Sequence, residues 1–290
     1  MMNILVTGGA GFVGTNLIKR LLKEGHNVIS IDNYSTGYES NHVKGCTYLY
    51  GDLSDTCRKD VIQRYLVDGP YKNIDVIYHL AALARIQPSL KNPTRTIENN
   101  FNSTLNILEY ARTNDIQIIY AGSSSMHHGL YGSPYAWSKF GGEELCKLYS
   151  SVYDLNTSVC RFYNVYGPHQ LKTGTYATVI GIFLDQYEKN KPLTITGDGE
   201  QRRDFTHIDD IVDALYKCMG KKFNAEIFEL GRGVNHSINE LAAMWDGYPT
   251  EYISARPGEY PFTLCEDKNA YDKLGWVPTR NLNDYIKSVL

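Results

Sequence analysis

Two nearby groups of residues have the types and spacing that proton-transfer chemistry requires. Tyr135 and Lys139 stand four residues apart just after Pro134, so on a helix they share one face. A free phenol has a pKa of about 10 and is a poor base at neutral pH. A nearby ammonium lowers that pKa by about 1 to 3. Three consecutive serines, residues 123–125, precede the pair, and one of them could share a substrate oxygen with the tyrosine.

A glycine-rich segment near the N-terminus has the spacing of a dinucleotide-binding turn. Gly8–Gly14 satisfies both G-x-G-x-x-G and G-x-x-G-x-x-G. Such a turn lets the backbone approach a pyrophosphate and presents the N-terminus of a helix to it. Asp32, 18 residues after Gly14, suits the ribose hydroxyls of NAD and would repel the 2′-phosphate of NADP. The segment predicts NAD binding by Gly8, Gly11, Phe12, Val13, Gly14 and Asp32.

Short apolar runs that alternate with helical segments in the first half of the chain must position these residues. Strands are predicted at Asn3–Thr7, Val28–Asp32, Thr47–Tyr50, Val76–Leu80, Ile116–Ala121 and Thr157–Phe162. Helices are predicted at Phe12–Glu24, Thr96–Arg112 and Pro134–Tyr153, with a weaker helical pattern at Thr56–Val67. Strands that are apolar along their length and joined by crossover helices form parallel sheets covered on both faces. The predicted fold class is therefore α/β, with a doubly wound (Rossmann) parallel sheet.

The regular alternation ends after Phe162. Tyr163–Gly174 is predicted as a loop, followed by helices at Thr175–Asn190 and at His207–Met219, the latter capped by Thr206. Strands are expected at Leu193–Thr196 and Glu226–Leu230, a helix near Ile238–Trp245, and a short C-terminal helix. We expect an NAD-binding domain over residues 1–165, to which the chain returns at about 203–231. Residues 166–202 and 232–290 are expected to form a smaller α/β substrate-binding lobe.

The composition excludes several other classes of protein. The formal charge is −3 and no block of five like charges occurs, which argues against nucleic-acid binding and a polybasic membrane patch. No apolar run approaches the roughly 18 residues that a membrane span needs, and the apolar start is too short for a signal peptide. The cysteines and histidines lack metal-ligand spacing, so no metal is expected. A reduced, cytoplasmic protein is expected.

Several further motifs occur in a recognisable order: Asp32–Gly37, Gly51-Asp52-Leu53, His79-Leu80-Ala81-Ala82, Arg161–Pro168, Arg203-Asp204-Phe205 and Arg256-Pro257-Gly258-Glu259. With Thr7–Gly14, they resemble over nearly the whole chain the extended short-chain dehydrogenases/reductases, and among them the NAD-dependent nucleotide-sugar epimerases and dehydratases. One departure is Ser103, which replaces a glycine of the family. The resemblance implies these further cofactor-binding residues: Asn33, Ser35, Thr36, Gly37, Asp52, Leu53, Leu80, Ala81, Ala82, Asn100, Tyr135, Lys139 and Phe162.

The same resemblance assigns roles in catalysis and substrate binding. It implies a catalytic trio of Ser124, Tyr135 and Lys139, in which the tyrosine exchanges a proton with a sugar hydroxyl. The implied substrate-binding residues are Ser124, Tyr135, Asn164, Arg203, Arg256 and Glu259, with the two arginines on the diphosphate of a UDP-sugar. A homodimer formed by the helices at Thr96–Arg112 and Pro134–Tyr153 is also implied.

The residues after the catalytic serine distinguish the reactions of the family. Dehydratases carry Asp-Glu there and related decarboxylases carry Glu, whereas this chain has Ser125-Met126, neither of which is an acid or base at neutral pH. We therefore predict a 4-epimerase similar to UDP-glucose 4-epimerase. Another nucleotide-sugar epimerase, a keto-sugar reductase and an NAD-sensing binding protein remain as alternatives.

The segment between Ser124 and Tyr135 departs from the family pattern. Only ten residues separate the two, fewer than usual, and His127-His128-Gly129 replaces the family's V-Y-G. The two histidines are predicted to lie at the surface. A shorter loop beside the sugar predicts a larger or more exposed pocket.

Overall fold

The computed structural model describes residues 1–55, 60–255 and 260–290. Its strands are β1 (Asn3–Thr7), β2 (Asn27–Asp32), β3 (Thr47–Tyr50), β4 (Val76–His79), β5 (Gln117–Ser123), β6 (Thr157–Phe162), β7 (Asn164–Tyr166), β8 (Leu193–Thr196), β9 (Arg202–His207), β10 (Asn224–Leu230), β11 (Asn235–Ser237) and β12 (Thr250–Ile253). Its α-helices are α1 (Phe12–Lys23), α2 (Asp60–Ile62), α3 (Ile86–Lys91), α4 (Pro93–Asn114), α5 (Pro134–Tyr153), α6 (Val179–Glu188), α7 (Ile208–Cys218), α8 (Ile238–Ala243), α9 (Asn269–Leu274) and α10 (Leu282–Val289). None of these described helices is long and apolar enough to cross a membrane.

Seven of the described strands form one parallel sheet in the order β10-β6-β5-β4-β1-β2-β3. The strand order reverses between β1 and β4. In sheets of this kind ligands bind at that point, outside the carboxyl ends of the strands. The sheet confirms the predicted α/β class with a doubly wound parallel sheet.

Alternate residues of β1 pack on opposite faces of the sheet. Ile4 and Val6 are buried against Leu17 of α1, in a core that also contains residues of α7. Leu5 is buried on the other face against Ile107 of α4. Because successive strand side chains point to opposite faces, an apolar run is what a strand covered by helices on both sides requires.

A smaller group of strands stands beside the main sheet. β11, β9 and β7 form a three-stranded sheet, and β12 pairs with β8. Their core includes Phe183 and Trp245, whose rings meet edge to face at 5.3 Å. β10 then pairs with β6 in the main sheet, so the chain passes between the two sheets more than once.

The structure differs from the sequence prediction at several boundaries. The predicted loop Tyr163–Gly174 contains β7, and the sequence does not predict β9, β11 and β12, because at least half of the residues in each are polar. The helix predicted from Thr175 begins at Val179. The prediction that Thr206 caps α7 is wrong: His207 is the N-cap, and its Nδ1 accepts the N–H of Asp209 at 3.2 Å.

Two further predicted segments differ from the structure or lie partly outside the described residues. The weak helical pattern at Thr56–Val67 begins in residues 56–59, which lie outside the described residues. The remainder forms α2 and a π-helical turn at Gln63–Val67. Strand β5 runs to Ser123, two residues beyond its predicted end, and a 3₁₀ turn at Ser124–His128 follows it. The later end of β5 determines which of the three consecutive serines projects from the end of the strand.

Candidate active site

A glycine-rich turn joins β1 to α1 and leaves no room for side chains. Gly8 has φ +73°, and a Cβ there would lie 2.9 Å from Cα of Ala81. A Cβ on Gly14 would lie 2.4 Å from the carbonyl oxygen of Gly8. Gly11 is the N-cap of α1, so no side chain covers the first N–H groups of that helix. These amides and the helix dipole form a site suited to a pyrophosphate.

Asp32 ends β2 beside this turn. Its Oδ2 accepts the N–H of Ala10 at 2.9 Å, and its Oδ1 accepts the N–H of Tyr34 at 2.8 Å. Burial raises the pKa of the Asp32 carboxyl, and the two backbone hydrogen bonds oppose that rise. Each oxygen keeps a further lone pair, which a ribose hydroxyl can use.

A cavity runs from the glycine turn across the carboxyl ends of the strands to Tyr135. These predicted cofactor-binding residues line it: Gly8, Gly11, Phe12, Val13, Gly14, Asp32, Asn33, Ser35, Thr36, Asp52, Leu53, Leu80, Ala81, Ala82, Tyr135 and Phe162. The other lining residues include Arg85, Gly122, Ser123 and Tyr176, which the sequence prediction did not assign to the site. Arg85 and Tyr176 lie in segments without a local pattern, and the spacing of the three consecutive serines does not show which one reaches the cavity.

Three predicted cofactor-binding residues are absent from the lining. Gly37 packs against the glycine turn, since a Cβ there would lie 2.8 Å from the carbonyl carbon of Ala10. Asn100 is buried and accepts the N–H of Leu83 at 2.7 Å while donating to Ser138 Oγ at 2.9 Å. Asn100 therefore ties the segment after β4 to α5. Lys139, the third, is buried against the ring of Tyr120.

The serine that contacts Tyr135 is Ser123. The Tyr135 hydroxyl donates to Ser123 Oγ at 3.3 Å, and Ser123 Oγ donates to Ser125 Oγ at 3.0 Å. Ser124, the predicted catalytic serine, is buried in the 3₁₀ turn and does not line the cavity. The reason is that β5 extends through Ser123, so this residue is the last to project from the strand before the chain turns.

The surroundings of Tyr135 act on its pKa in opposite directions. Burial raises the pKa of the phenol, whereas the hydrogen bond with Ser123 and the positive charge of Arg85 lower it. Arg85, which the sequence prediction did not include, is therefore a cation close enough to act on this hydroxyl.

Lys139 lies one helical turn after Tyr135 and is only 4% exposed. Its Nζ is 4.2 Å from the centre of the Tyr120 ring, a cation–π contact. Burial lowers the pKa of Lys139 to about 8, and the charge of Glu143, a further turn along α5, opposes that change. The ammonium is thus the main form at pH 7.

A charged network continues from Glu143 away from the cavity. Arg161 donates from Nε and Nη2 to Glu143 Oε2 at 3.0 and 2.6 Å, and from Nη1 to Glu229 Oε1 at 2.7 Å. His127 Nε2 lies 2.7 Å from the same Glu229 oxygen, and its side chain is 39% exposed. The network links the short segment after Ser123 to strands β6 and β10. The side chain of His128 lies outside the described ones.

A second cavity adjoins the first at Arg85 and Asn164, which line both. Asn164 donates to Thr263 Oγ1 at 3.1 Å, and Arg203 Nη1 donates to the carbonyl oxygen of Tyr260 at 2.8 Å. The two arginines are the charged residues among the described residues that line this cavity, and none of the others is acidic. The predicted substrate residues Arg256 and Glu259 lie outside the described residues.

Comparison with known proteins adds independent findings. The model of the NAD dependent epimerase/dehydratase family matches residues 4–231. A putative UDP-glucose 4-epimerase of Methanocaldococcus jannaschii is 34% identical to this chain, over 99% of this chain and 97% of its own length.

Solved structures match over the same extent. UDP-glucose 4-epimerase from Thermotoga maritima, crystallised with UDP-glucose, superposes with a TM-score of 0.90 at 29% identity, covering 99% of this chain and 96% of its own. UDP-glucuronic acid 4-epimerase from Bacillus cereus, in complex with UDP-glucuronic acid and NAD, gives a TM-score of 0.86 at 29% identity, covering 99% and 97%.

Proposed function

The chain belongs to the NAD-dependent epimerase/dehydratase family, and we propose that it is a UDP-hexose 4-epimerase that works with tightly bound NAD. The observation that supports this most is the contact between Tyr135 and Ser123 in the wall of the first cavity. The glycine turn and Asp32 stand at one end of that cavity, and the second cavity with Arg203 adjoins it. Tyr135 and Ser123 would therefore be able to contact both a dinucleotide in the first cavity and a nucleotide sugar that extends into the second.

NAD is the cofactor, and the described residues fit it. Gly8 and Gly14 leave space that a Cβ would fill, and the uncovered N-terminus of α1 faces the same place. Asp32 would hold the ribose hydroxyls with its free lone pairs. When bound, NAD supplies the acceptor and donor of a hydride.

Tyr135 is the group proposed to move the proton. Its phenolate takes the proton of the hydroxyl at carbon 4 of the sugar and returns it in the second half of the reaction. Ser123 Oγ, 3.3 Å from the phenol oxygen, holds the same sugar oxygen. The hydrogen bond with Ser123 and the charge of Arg85 favour the phenolate, whereas burial and the charge of Glu143 raise the pKa of Tyr135. The ammonium of Lys139, one helical turn away, is proposed to add a second positive charge near this phenol.

The residues beside Ser123 support epimerisation over elimination. Ser125 Oγ accepts the hydrogen bond of Ser123 Oγ, and Met126 follows it in the 3₁₀ turn. Neither side chain can act as an acid or base at neutral pH, so the removal of water has no group to assist it there. Epimerisation by oxidation at carbon 4, reorientation of the keto sugar and reduction from its other face would need NAD to accept and return the hydride, and Tyr135 with its neighbours to accept and return the proton.

The test is turnover of UDP-glucose without added NAD. We expect conversion to UDP-galactose with no net change in absorbance at the wavelength of NADH. Tyr135→Phe should lower kcat by about 10²–10⁴-fold, the usual contribution of a general acid–base group, while NAD stays bound. Tyr271→Phe is the matched control, because Tyr271 is 60% exposed on α9 and is not among the residues that line either cavity, so it should leave kcat unchanged.

The alternatives give different results in the same experiment. A keto-sugar reductase would consume added NADH and accumulate the oxidised form, and an epimerase acting at another carbon would yield a different sugar. An NAD-sensing binding protein would bind the cofactor and turn over none of the sugars. Unchanged turnover in Tyr135→Phe would refute the assignment of the proton-transfer group.

A homodimer through α4 and α5 forms part of this proposal. On α5, Trp137, Leu148 and Val152 are 39%, 51% and 60% exposed. Trp137 and Leu148 are eleven residues apart, about three helical turns, so they lie on one face. Phe101 of α4 stacks on Trp137 with ring centres 6.3 Å apart. A second copy of the chain would cover this apolar face.

A further inference from the structure

Residues 167–171, here called the strap, follow β7 and connect the smaller lobe to the wall of the cofactor cavity. Gln170 and Leu171 line the first cavity together with Gly11, at the start of α1. On the side of the smaller lobe, Gln170 Nε2 donates to the Tyr285 hydroxyl at 3.3 Å. The strap and the start of α1 thus enclose the same cavity, and contacts between them keep it closed.

His169, in the middle of the strap, makes such contacts with two elements. Its Nε2 is within hydrogen-bond distance of Lys19 Nζ on α1, and its Nδ1 lies 3.2 Å from Asn41 Oδ1 in the 3₁₀ turn Glu39–Asn41. Asn41 Nδ2 in turn donates to the carbonyl oxygen of Ala10 at 2.9 Å. His169 therefore joins the strap to α1 and, through Asn41, to the glycine turn.

The donors and acceptors of these contacts require a neutral imidazole. An ammonium is a donor only, so His169 Nε2 accepts from Lys19 and carries no proton. Because Asn41 donates to Ala10 from Nδ2, its Oδ1 accepts the Nδ1–H of His169. Protonation of Nε2 would break the bond to Lys19 and bring two positive charges together.

The surroundings of His169 favour this neutral form. Burial and the charge of Lys19 both lower the pKa of His169 from its ordinary value of 6.5. Lys19 is the charged group that acts on the ring, whereas Asn41 from the 3₁₀ turn and Pro168 from the strap do not titrate. The ring is therefore neutral at pH 8 and gains its charge in acid.

Two further features determine how far the strap depends on His169. The backbone of His169 has φ +69°, in the left-handed region that few residues with a side chain adopt, so contacts must hold it there. Asn16 Nδ2 of α1 donates to the carbonyl oxygen of Pro168 at 2.9 Å, and this bond is independent of the imidazole. Protonation of His169 would therefore loosen the strap but leave one attachment to α1.

We propose that His169 controls the retention of NAD in a pH-dependent way: the neutral ring holds the strap closed beside the cofactor, and protonation loosens the strap and speeds the loss of NAD. His169 is thus a positioning residue and not a catalytic one. The inference rests on the part of the proposed function that places NAD in the first cavity, and it does not depend on which sugar is the substrate.

The experiment measures the rate at which NAD leaves the holoenzyme between about pH 5 and 8, with excess NADH as a fluorescent competitor. In the parent protein the rate should rise by about three- to tenfold as the pH falls below 6.5, as expected for the loss of one hydrogen bond. His169→Asn should abolish this step, because an amide does not titrate and Asn tolerates the left-handed conformation. Lys19→Met should move the step to higher pH, because the charge that opposes protonation of His169 is gone.

His26→Asn is the matched control and should keep the step of the parent protein. His26 lies just before β2 and does not line either cavity, and burial lowers its pKa as well. A release rate that is the same at every pH in the parent protein would overturn the inference. So would a step that persists in folded His169→Asn or stays at the same pH in Lys19→Met. If neither NAD nor NADH bound the parent protein, the proposed function itself would fail.

Discussion

Replacing Glu143 with Gln should move the pH dependence of activity, because this carboxylate supports the charge on Lys139. Glu143 is fully buried and accepts two hydrogen bonds from Arg161; burial raises the pKa of its carboxyl, and Arg161 opposes that rise. It lies one helical turn after Lys139, so the two side chains begin about 5–6 Å apart. Burial lowers the pKa of Lys139 to about 8, and Glu143 opposes that effect.

The size of the change follows from Coulomb's law. At an effective dielectric constant of about 20, two unit charges roughly 6 Å apart interact by about 3 kcal/mol. One pKa unit corresponds to 1.36 kcal/mol, so complete loss of this interaction would lower the pKa of Lys139 by about 2. Arg161 also pairs with the Glu143 carboxylate and weakens its effect on Lys139. We therefore expect the pKa of Lys139 to fall by about 1 to 2 in Glu143→Gln. Lys139 is cationic below its pKa, and activity that needs this charge is lost as the pH rises through that value.

The assay is the initial rate of UDP-sugar epimerisation between about pH 5.5 and 9.5. The alkaline limb of kcat/KM should lie near pH 8 in the parent protein and about 1 to 2 pH units lower in Glu143→Gln. The matched control is Glu144→Gln, on the same helix, where the exposed carboxylate pairs with Lys147 at 2.6 Å. Coincident alkaline limbs for folded Glu143→Gln and the parent would refute the role of Glu143.

Two further predictions concern the cofactor turn and the assembly. Gly14→Ala should lower the amount of NAD that copurifies by roughly tenfold or more, about 1.4 kcal/mol, because its Cβ would meet Gly8 O at 2.4 Å and Gly9 Cα at 2.6 Å. A full complement of NAD released on denaturing this variant would contradict that reasoning. Light scattering should give twice the mass of one chain for the parent protein and one chain for Leu148→Glu, since Leu148 is 51% exposed on the proposed face. A monomeric parent would rule out the dimer.

The sequence by itself determined the features that depend on local spacing. The glycine turn, Asp32 at the end of β2, and Tyr135 and Lys139 on one face of α5 each follow from a few adjacent residues. The strands β1, β3 and β6 and the helix α5 have their predicted bounds, because apolar runs and helical periods are local properties.

Only the tertiary structure decided the features that join distant segments. It placed Ser123 against Tyr135 because β5 extends two residues beyond its apolar run. It joined His127 to Glu229, 102 residues later, across strands whose neighbours no short window specifies. It also placed Arg85, a loop residue in an ordinary sequence context, between the two cavities. Such contacts depend on strand order and register, which are set by the packing of the whole sheet and not by spacing along the chain.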